Sequence, residues 1–227
     1  MPVQPLSNIG YHADITKRAN EAQLDDQQLE LVIAANIAQD LQQTLSEIHF
    51  DNCTFAESIE YINSEWRLVK QAGDRLGDAA LAAFGRLLHT TQDFYAHSNW
   101  IELHVHQSPI PIWDQSLGTL PSDIVSGTWW IGGPKRCGPD VPTHSRLNKD
   151  NPDSQVGSKV VDSGPNQGKT LFDLAFATAV PACRLQFERL AKVKLAPLRL
   201  FLKDETNQDM LLNLIAAARS ARQEIAE

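Results

Sequence analysis

The chain has 227 residues, 42% of them hydrophobic, and a net charge of −8 with a pI near 5.3. That length can bury a sizeable core in one domain. The acidic balance disfavours broad nucleic-acid binding, because no dense Lys/Arg face offsets phosphate charge, and no run reaches the roughly 18 apolar residues of a membrane-crossing helix.

Residues 1–20 lack the basic and apolar regions of a secretory signal. The chain is therefore expected to be cytoplasmic or exported by a non-classical route. Cys53, Cys137 and Cys183 cannot all pair and show no C-x2-C zinc spacing, so they are expected to be reduced, buried or incidental.

The periodicity predicts an all-α, multi-helix bundle forming a single domain over 1–227, interrupted by one long irregular insertion. After a proline-containing start, residues 13–23 read as a short helix with His12 just before it. Asp25 or Asp26 caps a second helix running to Leu45, with a stripe of Leu29, Val32, Ile33, Ile37, Leu41 and Leu45. Thr54 and Glu57 form a capping-box pattern ahead of a helix that turns Ile59, Ile62, Trp66 and Val69 inward. The stretch 79–103, AALAAFGRLLHTTQDFYAHSNWIEL, reads as one central helix.

Residues 104–168 hold eight of the twelve prolines and eight of the twelve glycines, which excludes a long helix. Within them, 124–131 reads as a short hairpin. So long a connection in a compact domain points to a functional loop or disorder, and its tryptophans favour order. Residues 169–202 return to helix, with kinks expected near Pro181 and Pro197. Thr206 or Asn207 starts a final amphipathic helix to Glu227.

On the 79–103 helix His89, Asp93 and His97 recur every four residues, so their side chains share one face. Imidazole and carboxylate are ligand types for zinc and similar divalent ions. The bland alternative is a solvated polar stripe. All seven histidines lie between His12 and His144, and convergence of His12, His49, His89 and His97 at one end of a bundle accounts for that bias more simply than separate capping roles.

The segment Leu88-His89-Thr90-Thr91-Gln92-Asp93-Phe94-Tyr95-Ala96-His97-Ser98-Asn99-Trp100-Ile101-Glu102 resembles the hallmark of proteins related to the fungal heterokaryon-incompatibility protein Het-C. His12-Ala13-Asp14-Ile15-Thr16, His49-Phe50-Asp51 and the stretch from His144 to Asp150 resemble further motifs of that group. More distantly, the motif order is similar to zinc-dependent phospholipase C and the S1/P1 nucleases, all-helical enzymes with clustered metals.

The resemblance implies about two or three zinc ions. His49, His89 and Asp93 would hold one; Asp93 would bridge to a second that takes His12; His97 would bind a third, with His144 nearby. It also implies a carboxylate near the His49 motif, Asp40 or alternatively Asp51. The chain departs from the phospholipases in beginning Met1-Pro2 rather than with Trp. His97 follows Asp93 by four residues rather than six, and Asn148 stands where a Glu follows His144.

Closely spaced zinc ions suit phosphoester hydrolysis, with Asp93 as bridge and Asp40 or Asp51 orienting water or acting as base. Lys149, Arg136 and Arg146 are candidate phosphate contacts or simply solvated charges. Trp100, Trp113, Trp129 and Trp130 are candidates for a lipid- or base-binding groove, with core packing the alternative for Trp100. The insertion is expected to pack over the metal end. The expected function is a phospholipase C-like phosphodiester hydrolase with possible peripheral membrane contact. The alternatives are an S1/P1-type nuclease, or a Het-C-like interaction or toxin module with structural metal.

Overall fold

The computed structural model describes residues 8–72, 77–129 and 136–201. Among them the fold is all-α, with seven α-helices and no strand. The chain divides into two compact units, Met1–Phe187 and Glu188–Glu227, and every side chain of the candidate site belongs to the first. No described helix is long and apolar enough to cross a membrane.

The first helices are α1 (Asn8–Asn20), α2 (Asp26–Ile37), α3 (Ser46–His49) and α4 (Phe55–Gln71). They are followed by α5 (Asp78–His97), α6 (Trp100–His104) and α7 (Leu171–Phe201). Helix α1 thus begins ahead of His12 and carries it on its second turn. Asp25 caps α2, accepting from Gln28 N while the Gln28 side chain returns to Asp25 N. That reciprocal box satisfies two of the helix's orphan donors.

Helix α2 stops short of Leu45. Leu41 is 83% exposed, and Leu45 is exposed too, because a 3₁₀ turn over Ala38–Leu41 buries Gln39 instead. Gln39 accepts a hydrogen bond from the Tyr61 hydroxyl. The Thr54–Glu57 capping box also does not form. Thr54 Oγ1 donates to Asp51 O, while Glu57 pairs with Arg136 at 2.6 Å.

Helix α5 is buried on nearly every side from Ala80 to His97, as a helix at the centre of a core must be, and α2 and α4 pack along it. It ends at His97 rather than running on to 103. Ser98 turns extended, and Asn99 exchanges N–H···O bonds with Val125, through its backbone N and its side-chain Oδ1. Just before this break Phe94 stacks on Trp113 with centroids 4.2 Å apart, and Phe50, Tyr95 and Trp100 pack around it. Trp100 and Trp113 are therefore core residues, not a substrate groove. Both are buried, and their indole N–H groups donate to Pro111 O and Ser116 O.

The insertion contains only 3₁₀ turns and isolated bridges among its described residues. Its 124–129 segment is no self-paired hairpin. Ser126 pairs with Ser98 at the end of α5, and Thr128 pairs with Thr143 further along. Trp130 and Ile131 lie outside the described residues, as does the helix expected over 206–227. Pro181 and Pro197 both fall within the α7 span.

The cysteine expectation is corrected. Cys53 and Cys137 form a disulfide, their Cα atoms 5.2 Å apart, a separation that suits one. Only Cys183 fits the expectation, as a buried free thiol whose pKa burial pushes up to about 12.

Gly85 marks the closest approach of α5 to α2, since a Cβ built there would collide with the backbone oxygen of Val32. Gly85→Ala gains about 1 kcal/mol of helix propensity. It also overpacks a contact whose obstacle is backbone, a fault that costs about 1–3 kcal/mol. Urea unfolding is expected to show net destabilisation; unchanged or raised stability would contradict this packing.

Candidate metal centre

Asp93 sits one turn before the end of α5 with no exposed surface, and three helix-borne imidazoles turn their Nε2 atoms toward it. His12 Nε2 of α1 lies 3.2 Å from Oδ1. His89 Nε2, one turn earlier on α5, lies 3.0 Å from Oδ2. His97 Nε2, one turn later, lies 3.9 Å from Oδ1. His49, at the end of α3, brings its Nδ1 to 2.8 Å from Oδ2 and 3.2 Å from His89 Nε2.

The far nitrogens of the first three rings are anchored. His12 Nδ1 donates to Gln92 Oε1 at 2.6 Å, His97 Nδ1 to the His49 carbonyl at 2.8 Å, and His89 Nδ1 faces Asn36 Oδ1 at 3.4 Å. An acceptor on Nδ1 keeps the proton there and leaves the Nε2 lone pair free, the outer-shell arrangement that orients metal-binding histidines. Thr16 secures this shell, its hydroxyl accepting from both Asn36 Nδ2 and Gln92 Nε2.

The two carboxylates left open by sequence separate cleanly. Asp40 Oδ1 lies 3.9 Å from His89 Nε2, whereas Asp51 Oδ1 accepts from His144 Nδ1 at 2.8 Å and lies 3.8 Å from His97 Nδ1. Three groups therefore present donor atoms within 4.8 Å of one another: His12 with His89 and Asp93; Asp40 with His49 and His89; Asp51 with His97 and His144. The seven side chains singled out as metal ligands, together with Asp51, occupy one continuous cluster.

The cluster fits divalent metal on its own terms. Asp93 Oδ1, Asp40 Oδ2, His49 Nε2 and Asp150 Oδ1 are buried with no hydrogen-bond partner. Buried polar atoms are seldom left so, and nitrogen and carboxylate donors at this density suit zinc-type ions.

Irregular backbone builds the edge of the site. Phe50, Asn52 and Cys53 adopt positive φ, turning the chain sharply between His49 and α4. Asn52 N donates to Gly127 O, and Asn52 Oδ1 accepts from Trp129 N. Gly127 N donates to the His97 carbonyl. A Cβ on Gly127 would stand 2.5 Å from His144 Cα, so glycine is what lets the insertion close on the cluster. The disulfide ties Cys53, two residues past Asp51, to the same insertion. As expected, the insertion reaches the metal end: the His144 ring packs on His97 and on Trp129, at 4.4 and 4.7 Å between centroids.

Two proposed phosphate contacts are spent elsewhere. Lys149 is wholly buried, its Nζ donating to Ser98 O and Leu147 O and pairing with Glu102. Arg136 is committed to Glu57. Asn36, Gln92 and Asp150 were missed in the sequence. The polar Asn36 inside the apolar run of α2 was the available signal, as was Gln92 beside Asp93 in the central motif.

Electrostatics in the metal-free chain follow from burial against the shared carboxylate. Burial works to lower His12, but the Asp93 charge prevails and raises it to about 9. Burial likewise opposes a rise in His97, which Asp93, Asp150 and Asp51 carry to about 10. His89 is pushed down by burial and by the neighbouring imidazoles, against Asp93. Asp93 resists the upward push of burial and falls well below the usual carboxylate range under the pull of His89, His97 and His12.

A raised histidine stabilises the fold below its unfolded pKa, about 6.5, and that contribution is lost as pH climbs through the folded value. The Tm of chelator-treated protein should therefore fall between about pH 7 and 9.5 as His12 and His97 deprotonate. Over the same interval the rise in Tm on adding zinc should grow, because ligation requires those protons to leave. A metal-free Tm that is flat or rising across that interval would contradict the charge arrangement.

Residues 10–113 match the family model described as the VWA7 N-terminal domain. No curated protein and no solved structure matches the chain. The matched segment is where this chain is similar to that domain. It contains His12, Asp40, His49, Asp51, His89, Asp93 and His97, and it leaves His144 and Asp150 outside.

Proposed function

We propose that the chain is a zinc-dependent phosphodiester hydrolase of the phospholipase C type, related to the Het-C group. The observation that carries this reading is the convergence of three anchored Nε2 atoms on one buried carboxylate. Zinc bound there supplies Lewis acidity for phosphoester hydrolysis.

His12, His49, His89, His97 and Asp93 would hold the ions, with His12 beside one Asp93 oxygen and His49 and His89 beside the other. Asp40, with one unpartnered oxygen beside His49 and His89, is the group placed to accept a proton from water. Asp51 orients His144.

Beside His12 a narrow cleft runs between α1 and α7, walled by Ile15, Phe172, Ala175, Phe176 and Ala179. A net charge of −8 disfavours a polyanion such as single-stranded DNA. The disulfide supports export to an oxidising compartment over a cytoplasmic location.

A second reading rests on a different observation. His89 and Asp93 have no exposed surface, which favours a closed, structural metal in an interaction module.

Zinc-loaded wild type and Asp93→Asn, assayed on phosphatidylcholine micelles and on single-stranded DNA, separate these readings. Wild type is expected to hydrolyse the lipid, and Asp93→Asn to lose about 100-fold or more of that activity. Hydrolysis of DNA alone would replace the lipase reading with a nuclease. Folded, zinc-loaded wild type inactive on both would leave the structural metal.

A further inference from the structure

We propose that Asp150, carried by the insertion, is a metal ligand that completes a site with His12 Nε2, His97 Nε2 and Asp93 Oδ1. The inference rests on the metal reading above and adds a ligand that the motifs do not assign.

Asp150 Oδ2 lies 3.4 Å from His97 Nε2. His97 Nε2 lies 3.9 Å from Asp93 Oδ1, which in turn lies 3.2 Å from His12 Nε2. Four donors placed about 2.0–2.2 Å from one tetrahedral zinc stand about 3.3–3.6 Å from one another; the contacts at 3.2 and 3.4 Å are close to such edges, and the one at 3.9 Å is longer and would close on ligation. His97 spends its Nδ1 proton on the His49 carbonyl, so once the ring gives up its second proton, as ligation requires, the Nε2 lone pair faces the Asp150 carboxylate, and a shared cation takes the place of that proton. Asp150 Oδ1 is buried with no partner, although its side chain is only 10% exposed. Two carboxylates and two neutral imidazoles also balance the charge of one divalent ion, which would replace the protons that His12 and His97 otherwise hold.

The placement of Asp150 is built, not incidental. Lys149 N donates to the Ala96 carbonyl at 3.0 Å, and its buried Nζ donates to Ser98 O at 2.7 Å. The preceding residue is thus bolted to the end of α5 from both its backbone and its side chain. Asp150 N donates to Asn148 Oδ1, and Asn148 Nδ2 contacts His144 Nε2 at 3.1 Å. The fully buried lysine, an expensive choice in a core, thereby acquires a purpose: it sets the register that turns Asp150 toward His97. Asn148, four residues after His144, provides no carboxylate, and Asp150 provides it instead.

Zinc stoichiometry and affinity are measured by metal analysis and chelator competition on wild type, Asp150→Asn and Asp153→Asn, the last altering an exposed carboxylate of the same segment. Asp150→Asn is expected to lose one zinc equivalent, or to bind it about 100-fold more weakly, while keeping the remaining zinc; Asp153→Asn should match wild type. A second variant gives a positive signal. Cobalt-loaded Asp150→Cys should acquire a near-ultraviolet thiolate-to-metal charge-transfer band that wild type lacks. Unchanged zinc binding in Asp150→Asn, or no such band, would overturn the assignment of Asp150 and leave the other metals standing. A wild type that takes up no zinc would overturn both readings.

Discussion

A carboxylate with no exposed surface near the end of a core helix is the constraint around which the rest of the structure is arranged. Dehydrating the Asp93 charge costs several kcal/mol unless partners surround it. Helix α5 can place it there only because His89 and His97 lie one turn away on either side, on the same face. Two further segments, α1 with His12 and α3 with His49, must then close on that face. The close α2–α5 contact at Gly85 and the hydrogen bonds among Thr16, Asn36 and Gln92 accompany that closure and bring the anchoring groups against the rings.

Helical register alone does not finish the cluster. Its outer part stands on irregular backbone: the positive-φ turn at Phe50, Asn52 and Cys53, the extended break at Ser98, and the insertion fastened over both. Left-handed conformations at non-glycine residues cost about 1–3 kcal/mol each and persist where surroundings over-determine them. Here those surroundings are the Asn52 hydrogen bonds to Gly127 and Trp129 and the Cys53–Cys137 disulfide. The insertion is thus a wall of the site as much as a cover, supplying His144 and Asp150 where helices α1 to α5 leave an open side.

Much of this was legible in the sequence, for identifiable reasons. The three-residue face of α5 follows from its four-residue spacing, and the interior positions Ile62, Trp66 and Val69 of α4 follow from helical period. His12 and His49 came from the bias of the histidines toward the first two thirds of the chain and from motif resemblance, since nothing local relates them to Asp93. The failures have physical causes. Leu41 and Leu45 continue the α2 pattern but are exposed, because the chain turns to present Asp40 and bury Gln39. Thr54 and Glu57 match a capping box, yet each has a competing partner, one in Asp51 and one across the fold in Arg136. The disulfide spans 84 residues and Asp150 meets His97 across 53; neither pairing leaves a local trace when one partner lies in non-periodic chain.

The central claim is that this cluster is a zinc centre, and X-ray absorption at the zinc edge on the purified, zinc-equilibrated protein tests it most directly. The account predicts tightly bound zinc in a nitrogen and oxygen shell at about 2.0–2.2 Å, with the outer-ring scattering of several imidazoles and no sulfur. Absence of bound zinc, or a first shell containing sulfur at about 2.3 Å, would contradict it.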